Sequence, residues 1–367
     1  MAARLLVVGA GSGSGNSLIR SLRAGDPSFV VVGCHDDRFT LKKSTAERNF
    51  LVPRATEPGF VAALRRIVEA EKIDLVIPNT DVDVWAISRA RRRIPCRLFL
   101  PRHAVVELCQ DKYALTVFLR ARGVPVPRTY PVTSRAAIRK IYGRLRSGTR
   151  AWCRIRRGSG SRGAVPVASP RQAVNWIRFW EEMRGVPARA FTLAEYLPGR
   201  DFACQSVWKE GRLVLIKTCE RVSYFGGGSQ PSGASSISAL AKTVVEPRVA
   251  EVSADAIRVL DRRISGAFSV DLKENVGGVP CITEINVGRF ITMMNLFDLT
   301  GKHNMALAYV RLALDEPLHI ADAYDAVEDH YFVRDVDTEP GIFHADELFK
   351  GIDDADGSMT KPDAGGG

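Results

Sequence analysis

The sequence predicts a mixed α/β protein in which a small parallel sheet at the N-terminus leads into a longer region built on antiparallel hairpins. Three observations predict it. Apolar runs of strand type alternate with helix-period segments across residues 1–105, the pattern of successive strand–helix–strand units. Beyond residue 190, alternating runs separated by short loops read as paired antiparallel strands, foremost 267–272 and 281–286 around Asn275-Val-Gly-Gly. The 367 residues, 46% hydrophobic and 25% charged, suffice for two or three domains with ample core.

The N-terminal elements follow in order. Residues 4–8 are a buried-type strand, Gly9-Ala-Gly-Ser-Gly-Ser-Gly follows, and residues 16–23 carry Leu18, Ile19 and Leu22 at helical spacing. Such glycines let backbone amides at a helix N-terminus approach an anion, and Asp36, after a strand at 29–33, occupies the place of a ribose-binding acid. No register of the run puts a third glycine at the step a dinucleotide fingerprint requires, so a tight strand–helix connection explains it equally. Residues 60–70 give a helix and 74–77 a strand ending at Pro-Asn-Thr-Asp-Val-Asp. Thr80 and Asp83 suit a capping box for a helix running on to Arg93. The ends of parallel strands are where ligands bind, which also makes Asn79 and Asp81 substrate candidates.

Residues 109–123 read as one helix with Leu115, Phe118 and Leu119 on a face, ended by Gly123 and Val-Pro-Val-Pro. Lys112 lies in its first turn, where a cation opposes the helix dipole by ~0.3–1 kcal/mol and an anionic partner would offset that cost. A strand at 151–155 opens into Arg156-Arg-Gly-Ser-Gly-Ser-Arg-Gly, whose exposed amides and three arginines suit phosphate oxygens or a solvated basic loop. Residues 191–197 form a strand ending in Glu-Tyr-Leu-Pro-Gly, and Pro198-Gly199 turns the chain toward Asp201. A hairpin (206–208 with 213–219), Arg221, a glycine-rich loop at 226–233 and a helix spanning 240–261 then lead into the hairpin at 267–286. That loop either closes over a site or is disordered. A short helix at 304–314 turns Leu307, Val310 and Leu314 inward. Residues 315–350 form an acidic extension packing on the body, and the final stretch of about 15 residues has the composition of a disordered tail.

In the 267–286 hairpin, alternation places Ser269 and Asp271 on one face of the first strand and Ile282, Glu284 and Asn286 on one face of the second. Phe268, Val270, Ile285 and Val287 take the opposite side. Carboxylates on neighbouring strands repel each other unless water or a cation separates them, and the apolar neighbours limit water. Two carboxylates and an amide oxygen suit Mg²⁺, which prefers oxygen donors and completes its octahedron with water and substrate phosphates. The alternative is a hairpin whose polar side is solvated.

Charge and cysteines bound the function. The net charge is +11, but residues 315–367 hold 15 acids and 3 bases, leaving 49 bases against 26 acids upstream. A basic body attracts nucleic acid, membrane surfaces or phosphorylated small molecules. No zinc-finger spacing or RNA-binding aromatic motif supports the first, and no apolar stretch supports a membrane span or a secretory signal. The seven cysteines (Cys34, Cys96, Cys109, Cys153, Cys204, Cys219 and Cys281) are widely spaced and never C-x-x-C, as expected of reduced, mostly buried thiols in a cytoplasmic protein. None is assigned to a metal.

The order of these motifs is specific: a small parallel domain, Asp-Lys before a helix and Val-Pro-Val-Pro, a strand with a Gly-Ser-Arg loop, Glu-Tyr-Leu-Pro-Gly-x-Asp, and Glu-Ile-Asn after an upstream Asp. The chain resembles the ATP-grasp superfamily over roughly residues 4–315, most of all the branch related to the large subunit of carbamoyl phosphate synthase. The resemblance implies a Rossmann-like pre-ATP-grasp domain (1–108), a small ATP-grasp subdomain (109–198), a large subdomain with the metal site (199–318) and the acidic extension (319–367). ATP would be clamped between the two α+β subdomains.

The resemblance also implies roles. Lys112 would touch the phosphates. Arg154 would lie on the α-phosphate side, where many relatives carry lysine and the carbamoyl phosphate synthase branch carries arginine. Ser159, Gly160, Ser161, Arg162 and Gly163 match the loop over the phosphates. Glu195, Tyr196 and Leu197 match the hinge that reads adenine, and Asp201 matches the acid on the ribose hydroxyls. Asp271, Glu284 and Asn286 match the Mg²⁺ ligands, with Mn²⁺ the alternative ion. Arg221 and Arg289 fall where basic groups face the reacting carboxylate; the family's Asn-Pro-Arg is here Asn286-Val-Gly-Arg, so the arginine comes one residue later.

The implied enzyme is a ligase. ATP phosphorylates a carboxylate to an acylphosphate, and an amine or another nucleophile displaces phosphate, while Mg²⁺ and arginines neutralise the developing charge. Its partners would be small-molecule carboxylate and amine substrates; dimers, the commonest symmetric assembly, are common in the superfamily, and the sequence does not fix the oligomeric state. Two other readings remain: a non-catalytic nucleotide-binding protein, and an NAD-dependent dehydrogenase, which accounts for the first 37 residues but gives the loop and the acidic hairpin no role.

Overall fold

Strand β1 (Arg4–Val8) is the centre of the first sheet, because its run Arg-Leu-Leu-Val-Val is covered on both faces. The computed structural model describes residues 2–145, 150–226, 232–335 and 341–347. From β1 the chain passes through α1 (Gly13–Gly25), β2 (Val30–His35), α2 (Arg38–Leu41), β3 (Arg48–Leu51), α3 (Phe60–Glu71), β4 (Leu75–Ile77) and α4 (Asp81–Arg89). All four strands are parallel, in the order β3-β2-β1-β4. The order therefore reverses direction between β1 and β4, the switch point at which open α/β sheets leave a crevice.

Helices α5 (His103–Gln110) and α6 (Lys112–Arg120) lead into a second sheet of β5 (Thr129–Pro131), β6 (Ala151–Ile155), β7 (Val165–Val167) and β8 (Phe191–Glu195), in the order β5-β8-β6-β7. Its pairings are antiparallel. Helices α7 (Ile138–Leu145) and α8 (Pro170–Arg184) bury Ile138, Ile141, Ala173 and Ile177 against it.

The third sheet contains β9 (Asp201–Lys209), β10 (Arg212–Tyr224), β11 (Ser238–Thr243), β12 (Gly266–Glu274), β13 (Pro280–Val287), β14 (His330–Val333) and β15 (Gly341–His344), in the order β13-β12-β9-β10-β11-β14-β15. Helix α9 (Pro247–Leu260) covers one face together with α5 and α6. Helices α10 (Met294–Asp298) and α11 (Met305–Ala313) cover the other, in a core shared with α1 and β1. Leu18, Ile19 and Leu22 thus pack in the same cluster as Val207, Leu215 and Tyr309, which ties the parallel sheet to the large antiparallel one.

Several expectations are corrected. The helix read over 109–123 is two helices, because Asp111 takes an extended conformation and caps α6 by accepting from the amides of Tyr113 and Ala114. The helix read over 240–261 starts only at Pro247; residues 238–243 are strand β11, paired with β10. The strand expected to reach Leu197 ends at Glu195. Ile282 does not share the face of Glu284 and Asn286, because a bulge places Leu272 opposite Ile282 while Asp271 opposes Glu284. The extra residue, Thr283, turns Ile282 into the core beside Val270 and Leu272.

The acidic extension does pack on the body: β14 pairs with β11, and Phe332 is fully buried. All seven cysteines are free, and six are buried. Among the described residues no helix is long and apolar enough to cross a membrane. Residues 227–231 of the expected glycine-rich loop and the expected tail lie outside the described residues.

Candidate active site

Strands β12 and β13 set the site. Asp271 and Glu284 are directly opposed in register, and Asn286 pairs with Ser269 two residues further on the same face. The amide nitrogen of Asn286 lies 3.4 Å from Asp271 Oδ2, so this amide and the Asp271 carboxylate are adjacent on the hairpin face. Both carboxylates are mostly shielded, each side chain retaining 22% exposure.

Cations from three parts of the chain meet them. Lys112, on the first turn of α6, places Nζ 3.2 Å from Glu284 Oε1 and donates to Gly158 O at 2.6 Å. Arg154, buried on β6, donates from Nη2 to Thr283 O at 2.9 Å. The bulge thus serves twice, turning Ile282 inward and offering the Thr283 carbonyl to Arg154. Burial pulls the Arg154 guanidinium below its ordinary pKa, against the opposing fields of Glu284 and Asp271. Its Nε is buried without a hydrogen-bond partner among the described residues. Arg221 on β10 reaches Asp271 at 2.6 Å and Asp201 at 3.5 Å. Burial opposes its charge, yet Asp271, with Tyr224 and Asp201, raises its pKa well above the usual value.

Arg289 completes the ring. Gly288 takes φ +68°, and a Cβ there would come within 2.9 Å of Leu100 and 3.0 Å of Val84, so this turn needs glycine. The turn delivers Arg289, whose Nη2 donates to Asn286 Oδ1 and whose Nε donates to Asp81 Oδ1, both at 2.6 Å. The one-residue shift from Pro-Arg to Val-Gly-Arg therefore still brings an arginine to the hairpin. Burial opposes its charge and Asp81 outweighs it, keeping the guanidinium above its ordinary pKa.

Other expected residues lie on the neighbouring strands. Asp201 opens β9, where it accepts from Tyr224 Oη at 2.8 Å and faces Lys273 at 3.5 Å. Glu195 is paired with Arg128 at 2.7 Å, the Arg150 guanidinium lies 5.8 Å from the Tyr196 ring centre, and Leu197 is buried. This segment bridges the second and third sheets, where Gly199 N donates to Glu274 O.

The basic loop between β6 and β7 leaves Ser159, Gly160 and Arg162 exposed. Ser161 (φ +54°) adopts a left-handed conformation and its carbonyl accepts from Ala164 N, while Gly163 O accepts from Trp176 Nε1 at 3.0 Å. Asp111 holds the start of this loop through Arg156 at 2.8 Å and Arg157 at 3.4 Å.

The sequence assigns no role to Tyr224, Lys273 or Arg128, and it carries Asp111 only as part of the Asp-Lys motif, because its capping role depends on the break between α5 and α6. Tyr224 and Lys273 become visible only through register, since β12 and β10 both flank β9.

The residue types on this hairpin face, two carboxylates and an amide without thiol or imidazole, suit a hard divalent cation; in the structure they are engaged by Lys112, Arg221 and Arg289. The wider set, Lys112, Arg154, Arg221, Lys273 and Arg289 against Asp81, Asp201, Asp271 and Glu284, carries one excess positive charge before any metal is counted. Such a cluster of cations suits a polyphosphate.

In sequence the chain matches no family model and no curated protein. In structure it is similar to biotin carboxylase of Campylobacter jejuni, solved as a β,γ-ATP complex (TM-score 0.70, 12% identity, 90% of this chain and 75% of that one). It is also similar to L-amino acid ligase of Bacillus licheniformis (TM-score 0.68, 11% identity, 90% and 78%). A third likeness is to the biotin carboxylase domain dimer of Hydrogenobacter thermophilus 2-oxoglutarate carboxylase, with MgADP, ADP and bicarbonate (TM-score 0.68, 14% identity, 90% and 74%). The chain has the ATP-grasp fold.

Proposed function

We propose that this chain is an ATP- and Mg²⁺-dependent ligase that activates a carboxylate as an acylphosphate and joins it to an amine or another nucleophile, releasing ADP and phosphate. One observation carries the reading: the in-register pair Asp271–Glu284, with Asn286, ringed by Lys112, Arg154, Arg221 and Arg289. The solved structures with this fold that bind ATP or MgADP support it by analogy.

Asp271, Glu284 and Asn286 are the residues that would hold Mg²⁺, which supplies charge neutralisation at a transferring phosphoryl group. Lys112 and Arg154 bind the polyphosphate, and the loop from Ser159 to Gly163 offers its amides from above. Glu195, Tyr196 and Leu197 contact the adenine, and Asp201 the ribose. Arg221 and Arg289 orient the carboxylate and stabilise the negative charge that builds as the γ-phosphoryl group moves onto its oxygen. In the second step the amine adds to the acyl carbon, phosphate leaves with its electron pair, and the amine proton passes to solvent or phosphate.

The test is ADP release with Mg²⁺-ATP across pooled carboxylates and amines, with Glu284→Gln in parallel. Release that requires both pools, and falls by about a hundredfold or more in the variant, is the expected result. Unchanged release by Glu284→Gln would remove the metal assignment and the mechanism with it. The dimeric carboxylase neighbour makes a homodimer the assembly to examine first.

A further inference from the structure

The positive charge of the molecule is concentrated in one part of it. Residues 112–180 hold 16 bases and no acid, while the rest of the chain holds 36 bases against 41 acids. Lys112, Arg154, Arg156, Arg157 and Arg162 belong to the site and loop described above. Others stand on β5 and α7, away from those residues in the sequence. Helix α7 buries Ile138, Ile141 and Leu145 against the second sheet, so Arg139, Lys140, Gly143 and Arg144, related by i,i+4 spacing, form its exposed stripe. Beside the stripe opens a groove of about 560 Å³ lined by Arg128, Tyr130, Gly143 and Arg144.

Gly143 sits in a helical segment, where glycine is less stable than alanine, and the fold does not require it. Its φ is not positive, and a Cβ built there meets no atom within 4 Å. A side chain missing for no internal reason leaves the groove open to the close approach of a partner. The lining selects the partner's chemistry. Arg139, Lys140 and Arg144 form no ion pair among the described residues, and Arg128 is paired only with Glu195. Such a stripe calls for a polyanion, and guanidinium groups pair with phosphate oxygens in a fixed fork. Tyr130, half-buried in the same groove, offers an aromatic face to an unpaired base. A membrane would need apolar groups to insert, and no large apolar side chain of β5 or α7 is exposed. An acidic protein would engage the cations but leave the tyrosine ring without a role.

The geometry points to a binding surface for single-stranded nucleic acid on β5 and α7. Arg139, Lys140 and Arg144 hold the phosphates, the strand passes over Gly143, and a base stacks on Tyr130. The sequence carries no nucleic-acid-binding module, because this surface exists only once β5 and α7 are packed side by side. The inference is independent of the ligase reading, since none of these residues belongs to the proposed nucleotide site.

The test is fluorescence anisotropy of a labelled RNA strand of about 12 mixed nucleotides, titrated with the full chain over a range of salt concentrations in saturating Mg²⁺-ATP. The triple variant Arg139→Gln, Lys140→Gln, Arg144→Gln should bind about tenfold or more weakly near ~0.1 M salt. Its slope of log Kd against log salt should fall by about 2, as three phosphate contacts are lost. Gly143→Gln fills the groove without changing charge and should weaken binding about tenfold with the slope kept. Tyr130→Leu keeps bulk, removes the stacking face and should weaken binding about fivefold or more. Melting followed by circular dichroism reports that each variant is folded.

No saturable binding by the wild-type chain would overturn the inference. So would undiminished binding by Gly143→Gln and Tyr130→Leu, since only diffuse charge would then attract the strand. Equal affinity for an RNA duplex of the same length would contradict stacking of an unpaired base. Tighter binding to polyglutamate of equal charge would assign the face to an acidic protein, and tighter binding to phosphatidylserine vesicles would assign it to a membrane; either result would overturn the nucleic-acid assignment.

Discussion

Arg154 illustrates how one residue couples strand geometry to chemistry. It is buried on β6, donates to the carbonyl of the bulged Thr283, and faces the carboxylates of Glu284 and Asp271. Arg154→Met should therefore weaken nucleotide binding about tenfold or more, because two shielded carboxylates lose a neighbouring cation. Arg154→Lys keeps the charge without the fixed fork and should lose less. Isothermal titration with a non-hydrolysable ATP analogue orders the three proteins, and equal affinity for Arg154→Met would show that this cation does not meet the nucleotide. The residue types of the site were legible in the sequence because carboxylates, an amide and arginines recur at informative spacings. The links that hold them were not. Tyr224 and Lys273 reach Asp201 from strands flanking β9, and the Arg289–Asp81 contact spans 208 positions of the chain. Neither relation leaves a local pattern.

Among the elements, α6 and the basic loop form one unit through Asp111. Its carboxylate caps the helix and pairs with Arg156 and Arg157, and Lys112 beside it bonds Gly158. Burial raises the Asp111 carboxyl, but the Arg156 hydrogen bond, the Ala114 amide and the arginine charges outweigh it and hold its pKa below the usual range. Asp111→Ala should cost about 1–2 kcal/mol in urea unfolding through the lost cap. It should also make the 156–163 loop more rapidly cleaved by trypsin; an unchanged cleavage rate would mean that the loop is held by other contacts. Sequence periodicity placed the hairpin of β12 and β13 correctly, since apolar and polar residues alternate there. It misplaced Ile282, because a bulge changes facing without changing composition. It also ran the end of α5 into α6 and merged β11 with α9, since continuous apolar spacing does not reveal a capping residue in an extended conformation or a strand at a sheet's interior.

Across the whole molecule, the parallel sheet and the large antiparallel sheet act as one body because α1, α10 and α11 share a core. Asp298 sits in that junction, buried at the end of α10 and accepting from the amides of Met305 at 2.8 Å and Ala306 at 3.4 Å. Burial raises its pKa to about 6 against the opposing pull of Lys217. An unfolded chain releases this proton near pH ~3.9, so between about pH 4 and 6 the folded state binds more protons and stability from this group falls as pH rises. Asp298→Asn should flatten that part of the stability profile, measured by urea unfolding across the range, and an unchanged slope would refute the assignment. Lys217 itself forms a buried pair with Asp325 at 2.7 Å, which fixes the acidic extension to β10. The extension was foreseen only as packing on the body; its addition of two strands to the sheet edge depends on pairing that composition does not encode. The order of strands and motifs, by contrast, was sufficient to anticipate the ATP-grasp fold.

The central claim is that a carboxylate oxygen becomes bonded to phosphorus at this site. It is tested most directly by supplying the carboxylate pool with ¹⁸O in its carboxylates, together with Mg²⁺-ATP and the amine pool, and analysing the released phosphate by mass spectrometry. The account predicts that each phosphate formed carries one ¹⁸O from the carboxylate. Phosphate that is released without label would mean that water, not the carboxylate, receives the phosphoryl group, and would contradict it.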